Sequence, residues 1–244
     1  MSADLVLLHG WAMTRRVWNP VIAGLEAHFT VHNIGLPGHE DPDPDSAQYG
    51  DMPAAWILDR WSDVLLERAP GGALWVGWSL GATVVMNAMR RRPGAIRAAL
   101  LVSATPRFLR GRDWDAAVDN DVMRGFLQAM RANDEKTLRR FALLQAEDRR
   151  AVRAISNAVA GDADRPALEA GLRVLEETDL RPDLHELSVA VRVVHGFRDR
   201  VVPHAAGERL AAALPRADLV SLDAGHAPFI ERPEEFIEAV TTWQ

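Results

Sequence analysis

Apolar residues along the chain gather into short runs, each closed by a turn residue. They fall at 4–10 (DLVLLHG), 29–36 (FTVHNIGL), 73–79 (ALWVGWS), 97–104 (RAALLVSA), 191–199 (VRVVHGFRD) and 217–226 (ADLVSLDAGH). Several are continuous rather than alternating, as expected of strands buried on both faces. Between them lie stretches with helical spacing, around 52–68, 81–91, 204–213 and 233–242. Strand alternating with helix predicts an α/β fold: a mostly parallel central sheet with helices on both faces. The alternation breaks once. Residues 107–184 contain no convincing strand, and 113–131, 134–160 and 165–177 read as amphipathic helices punctuated by DADRP and DLRPDL. A helical excursion that leaves a sheet and returns to it predicts a cap over the sheet's carboxyl edge. The expected organisation is therefore one domain, with a core of 1–106 and 185–244 and an inserted helical lid of 107–184. No Gly/Ser-rich or Pro-rich linker sets the lid apart.

The run at 73–79 leads directly into Gly77-Trp78-Ser79-Leu80-Gly81 and then into the helical GATVVMNAMRRR. A strand-to-helix turn this tight strains its central residue and crowds its flanks. Glycine at 77 and 81 relieves the crowding, and the turn lifts the Ser79 hydroxyl above the sheet. The helix N-terminus beside it offers free N–H groups to developing negative charge. A serine hydroxyl needs a base, and the base needs an orienting acid. The pattern predicts an acid after a later strand and a histidine after the last one. Asp199 ends VRVVHGFRD, and His226 ends the LVSLDAGH run. Asp223 is a weaker candidate for the acid, since its own loop would have to fold back. The remaining histidines, His9, His28, His32, His39, His185, His195 and His204, lack the terminal placement. The oxyanion needs two donors. One is expected from the backbone of Leu80, the other from Trp11 in HGWAM, where Gly10 lets the main chain approach closely. The Trp11 indole could also pack over a substrate.

Composition narrows the chemistry. None of the 244 residues is cysteine, which excludes disulfides, thiolate metal sites and a cysteine nucleophile. The net charge of −6 argues against a nucleic-acid partner. No apolar run approaches the length of a membrane helix, and the N-terminus carries an acid where a signal peptide wants basic residues. A cytoplasmic protein, expected as a monomer, follows. The acid–base–nucleophile set requires no metal or organic cofactor.

LVLLHGWAM, GWSLGA, GFRDRVVP and AGHAPFIERPEEF, at their spacings, resemble the α/β-hydrolases over nearly the whole chain. Within that superfamily the chain is similar to the pimeloyl-[acyl-carrier protein] methyl ester esterase family of biotin synthesis. The shared features are LLHGWAM with VWNPVIAGLEAHFTVHNIGLPG, the tryptophan inside GWSLG, RRFALLQ at 139–145 and AGHAPFI. The resemblance implies a serine carboxylesterase with Ser79, Asp199 and His226 as its triad. It implies that Trp11, Ser79 and Leu80 hold the ester and that Phe141, Ala142, Leu143, Leu144 and Gln145 line the acyl channel. Read without it, FALLQ is an ordinary amphipathic helix face. The chain departs from relatives in starting almost at its first buried strand, so that a leading hairpin is expected to be missing or reduced. It departs again at Gly35, where aspartate is usual.

Charge adds a partner. Residues 124–153 hold eight basic and four acidic side chains, net +4 inside a chain of −6. Lys136 and Arg140 are four apart, as are Arg149 and Arg153, so each pair shares a helix face. A basic lid suits an acidic acyl-carrier protein. The rival enzyme reading is a short-chain carboxylesterase or lactonase for small-molecule esters. The rival of another class is a hydrolase-fold ligand-binding protein without chemistry.

Overall fold

The structure, a computed structural model, describes residues 2–161 and 163–243. Six strands run Ala3–Leu8 (β1), Phe29–Ile34 (β2), Ala73–Trp78 (β3), Ile96–Val102 (β4), Ala190–Gly196 (β5) and Ala217–Leu222 (β6). All pair in parallel, in the order β2-β1-β3-β4-β5-β6. The helices are Asn19–Glu26 (α1), Ala54–Arg68 (α2), Leu80–Arg91 (α3), Asn120–Ala132 (α4), Asp134–Leu144 (α5), Arg149–Asn157 (α6), Arg165–Glu177 (α7), His204–Ala213 (α8), Pro228–Glu231 (α9) and Pro233–Thr241 (α10).

The continuous apolar runs are explained by the two cores. In β1, Val6 and Leu8 enter one cluster with α2 and α3, while Leu5 and Leu7 enter another with α1 and α10. β3 divides in the same way, Ala73 and Trp75 to the first face and Leu74, Val76 and Trp78 to the second. Alternate side chains leave opposite faces of a strand, so a strand covered on both sides must be apolar throughout. Each fully buried Val or Leu contributes about 1.5–3 kcal/mol of transfer free energy. The chain passes from β1 outward to β2, then crosses back over β1 to β3 and continues the other way through β4, β5 and β6. The crevice at the carboxyl ends of β1 and β3 is therefore where the winding reverses, the place at which open α/β sheets gather their chemistry.

The excursion between β4 and β5 holds α4 to α7. It has a foothold in each core: Ala167, Ala170, Leu172 and Val174 of α7 join the first cluster, Ala151 and Ile155 of α6 the second. It is also sewn to the loop after β1. Thr14 N–H donates to Ala158 O at 2.8 Å, Ala160 N–H to Ala12 O at 2.9 Å, and Trp11 Nε1–H to Leu168 O at 2.8 Å. Two expected helices are revised. Residues 113–119 are not helical, because Gly111 pairs with Trp114 and Leu109 with Val118, and Trp114 packs with Ala116, Ala117 and Ala206 in a small satellite cluster. The helix expected at 134–160 is broken after Leu144. Asp148 caps α6 by accepting from Ala151 N–H at 2.7 Å. Among the described residues no helix is long and apolar enough to cross a membrane.

Candidate active site

The turn from β3 into α3 carries the strain its sequence implies. Ser79 has φ 55° and ψ −117°, a conformation that side chains rarely adopt. A Cβ on Gly77 would sit 2.6 Å from Gly81 O, and one on Gly81 would sit 2.6 Å from both His9 O and Leu8 O. Neither position admits any other residue without moving main chain. Gly10 lies against the same turn, where a Cβ would approach Ser79 Cβ to 3.3 Å. This contact brings the loop after β1 beside the serine. Among the described residues, neither the Trp11 nor the Leu80 backbone N–H donates a hydrogen bond.

His226 follows β6 and is fully buried. Its Nδ1 stands 2.7 Å from Asp199 Oδ2, and its Nε2 has no hydrogen-bond partner among the described residues. A carboxylate can only accept, so Nδ1 carries the proton and Nε2 presents a lone pair. The main chain of His226 is tied to the turn through Trp78, whose Nε1–H donates to His226 O at 2.7 Å; among the described residues the Ser79 hydroxyl and His226 Nε2 are not hydrogen-bonded to one another. Trp78 is covalently next to Ser79, so the tryptophan inside GWSLG ties the histidine loop to the turn. That loop is fixed from the other side as well. Ala227 N–H donates to Gln145 O at 3.1 Å, and the Glu231 carboxylate accepts from Gly225 N–H and from Glu147 N–H.

Asp199 is buried too. Burial by itself would push its carboxyl up. The His226 imidazole and hydrogen bonds from His195 and His226 outweigh that, and hold the group well below the usual carboxylate range. Asp223 faces away, at the surface, where it meets Arg198 at 2.9 Å and Arg232 at 3.5 Å.

The remaining expected site residues divide. The Trp11 indole is buried between Phe126 and Phe141, with ring centroids at 5.6 and 5.5 Å. Its N–H is used on Leu168, so the indole belongs to the packing of the excursion on the core. Phe141 is half-buried, and Ala142 and Gln145 are buried, whereas Leu143 and Leu144 are 58% and 47% exposed. The five residues thus differ in exposure, two facing inward and two facing solvent. Leu143 instead borders a shallow groove of about 370 Å³ with Arg149, Val152, Arg153 and Arg200. Lys136, Arg140, Arg149 and Arg153 are all exposed and have no ion-pair partner among the described residues.

His9 serves the packing of the main chain. Its Nδ1–H donates to Gly10 O at 2.8 Å and its Nε2 accepts from Leu36 N–H at 3.0 Å. Burial, then the neighbouring His39, lowers His9 to about 3. Burial lowers His39 to about 4. The folded protein thus holds two imidazoles neutral that the unfolded chain protonates near pH 6.5. Their contribution to stability is complete above that value and is lost as pH falls toward 4 and then 3. Calorimetric unfolding from pH 8 to 4 should show uptake of nearly two protons by these groups around pH 5.5, and about half of that in a His39→Phe variant.

Comparison with known proteins bears on the fold and the family. The profile of the alpha/beta hydrolase family matches residues 5–239. A pimeloyl-[acyl-carrier protein] methyl ester esterase from Nitrosomonas europaea is 36% identical, over 96% of this chain and 92% of its own. A protein of the same name from Methylococcus capsulatus is 38% identical, over 95% and 90%. Among solved structures, an esterase from Exiguobacterium antarcticum superimposes with a TM-score of 0.88 at 17% identity, covering 99% of this chain and 91% of that one.

Proposed function

The chain belongs to the alpha/beta hydrolase family, and from that premise we propose that it is a serine carboxylesterase of biotin synthesis that removes the methyl group from pimeloyl-[acyl-carrier protein] methyl ester. The observation that carries the chemistry is the buried His226, with Nδ1 held by Asp199 at 2.7 Å and Nε2 without a partner, joined through Trp78 to a strained Ser79. Substrate identity rests on the full-length similarity to relatives of that name.

In this reading His226 Nε2 takes the Ser79 proton as Oγ attacks the ester carbonyl carbon. The resulting oxyanion lies between the N–H groups of Trp11 and Leu80. Asp199 keeps Nδ1 protonated and stabilises the imidazolium. Collapse breaks the bond to the methoxy oxygen, which leaves as methanol with the proton from His226. Water, deprotonated by the same nitrogen, then releases the pimeloyl carboxylate and restores Ser79. Phe141 and Gln145 flank the acyl chain under the cap. Lys136, Arg140, Arg149 and Arg153 receive the acidic carrier.

The direct test is methanol release from pimeloyl-[acyl-carrier protein] methyl ester, compared with a small ester such as 4-nitrophenyl acetate. With Arg149→Glu and Arg153→Glu together, the ratio of kcat/KM on the carrier-linked substrate to that on the small ester should fall about tenfold or more. An unchanged ratio would remove α6 from the docking face. A strain lacking its own esterase should grow without biotin when supplied with this chain.

A further inference from the structure

Asp199 meets two histidines, not one. His195, near the end of β5, is fully buried, with Nε2 3.2 Å from Asp199 Oδ2 and 3.1 Å from Val202 O. His226 Nδ1 approaches the same carboxylate oxygen at 2.7 Å. The other oxygen, Oδ1, accepts the N–H groups of Val201 and Val202, each at 2.8 Å. The His195 Nε2–H hydrogen bond goes to Val202 O, while the same nitrogen lies 3.2 Å from Oδ2, the oxygen that holds His226 Nδ1–H.

The His195 ring has one usable orientation and one usable tautomer. Its Nδ1 has no hydrogen-bond partner and lies against Gly207 of α8, where a Cβ would collide with it. Only a hydrogen on Nε2 faces the two acceptors. The other tautomer would aim a lone pair at a carboxylate and a carbonyl. α8 thus gives up a side chain at 207 to admit a ring that donates toward the acid.

We infer that His195 is a positioning residue of the hydrolytic site: its Nε2–H, held by Val202 O and 3.2 Å from Asp199 Oδ2, polarises the oxygen that holds His226 and so sets how tightly the carboxylate holds the protonated base. The inference rests on the esterase reading above. A carboxylate oxygen polarised by a second N–H offers less to the donor it holds. With His195 in place, Asp199 orients His226 while holding its imidazolium less strongly than an otherwise unpolarised carboxylate would. The other titratable groups facing His195 are few. His204 of α8 stands edge-on at 5.7 Å between ring centroids, with Glu208 3.8 Å from it, and His226 lies across the carboxylate. Among the described residues no arginine makes an ion pair with Asp199.

The test compares His195→Phe, which keeps a ring and removes the donor, with His195→Gln, which keeps an N–H. Imidazole NMR titration of the full chain reads the base directly, with the His226 resonance assigned by its loss in His226→Ala. The His226 midpoint should rise by about one pH unit in His195→Phe and stay within about 0.3 unit of the parent in His195→Gln. The acid limb of Ser79-dependent kcat/KM on 4-nitrophenyl acetate should move by the same amount. A midpoint unmoved in His195→Phe, or moved equally in both variants, overturns the inference, because packing alone would then account for the residue. Should phenylalanine not be accommodated beside Gly207, His195→Met removes the donor on a flexible chain and is read in the same way. A parent protein without Ser79-dependent turnover would overturn the esterase reading, while the NMR titration would still decide the role of His195.

Discussion

Replacing Ser79 with alanine should lower ester hydrolysis by about 10⁴-fold or more, leaving only what the oxyanion donors and binding can supply. The loss should appear in kcat, with KM for the carrier-linked ester little changed, because the hydroxyl acts on bond making and not on docking. Thermal stability should be kept, because the Ser79 hydroxyl makes no hydrogen bond among the described residues and its truncation orphans no buried partner. Stopped assays of methanol release and a melting curve on the same preparation check both halves. A variant that retains more than a hundredth of the parent rate would place the nucleophile elsewhere.

Asp199→Asn should cost about 10³ to 10⁴ in kcat. The amide cannot accept on both of its ends as the carboxylate does from Val201, Val202 and His226. Whichever end carries the NH₂ opposes an existing donor. If it opposes His226, Nδ1 must give up its hydrogen and Nε2 becomes the donor, which is useless as a base. If it opposes the two backbone N–H groups, the 199–202 turn is destabilised. The two cases separate experimentally. The first leaves unfolding in urea nearly unchanged, the second lowers it by about 1–3 kcal/mol. The parent carboxyl, held low, adds stability above its ordinary value of 3.8 that is lost as pH falls through its folded value. The asparagine variant should lack that acid-side dependence.

Much of the framework is legible in the residues themselves. Double burial makes β1, β3 and β4 continuously apolar, and such runs bounded by glycine are hard to mistake. Ser79 is legible because the crowding that forces glycine at 77 and 81 arises within five residues. The Asp199–His226 pair follows from topology, since the carboxyl ends of parallel strands all reach one rim. What spacing along the chain does not reveal is who meets whom at that rim. His195 has no terminal placement and reads as an ordinary histidine, yet the end of β5 turns its ring toward the acid four residues on. A histidine on the last inward position of the strand that bears the acid is the signal that could have found it. Trp78 is similar: inside the motif it looks like a variable filler, while its indole reaches His226 O across 148 positions of sequence. The short α1 escapes because its Pro20 and Gly24 dilute the helical signal over a span of only eight residues. The break after Leu144 depends on Ala227 and Glu231 taking hold of 145–148 from a distant part of the chain.

The stitching of residues 11–14 to 158–168 has a bearing on how this scaffold can be recombined. Met13 and Val159 form a bridge, Ala12 O and Ala158 O each accept across the same seam, and the Trp11 indole closes it on Leu168. A chimaera that imports a foreign segment only between β4 and β5 would remove the partners of Trp11 Nε1, Ala12 O, Thr14 N and Thr14 Oγ1. The smallest transplantable module is discontinuous: the insert must travel with its matching dozen or so N-terminal residues, or the graft arrives without the main-chain template on which it is seated.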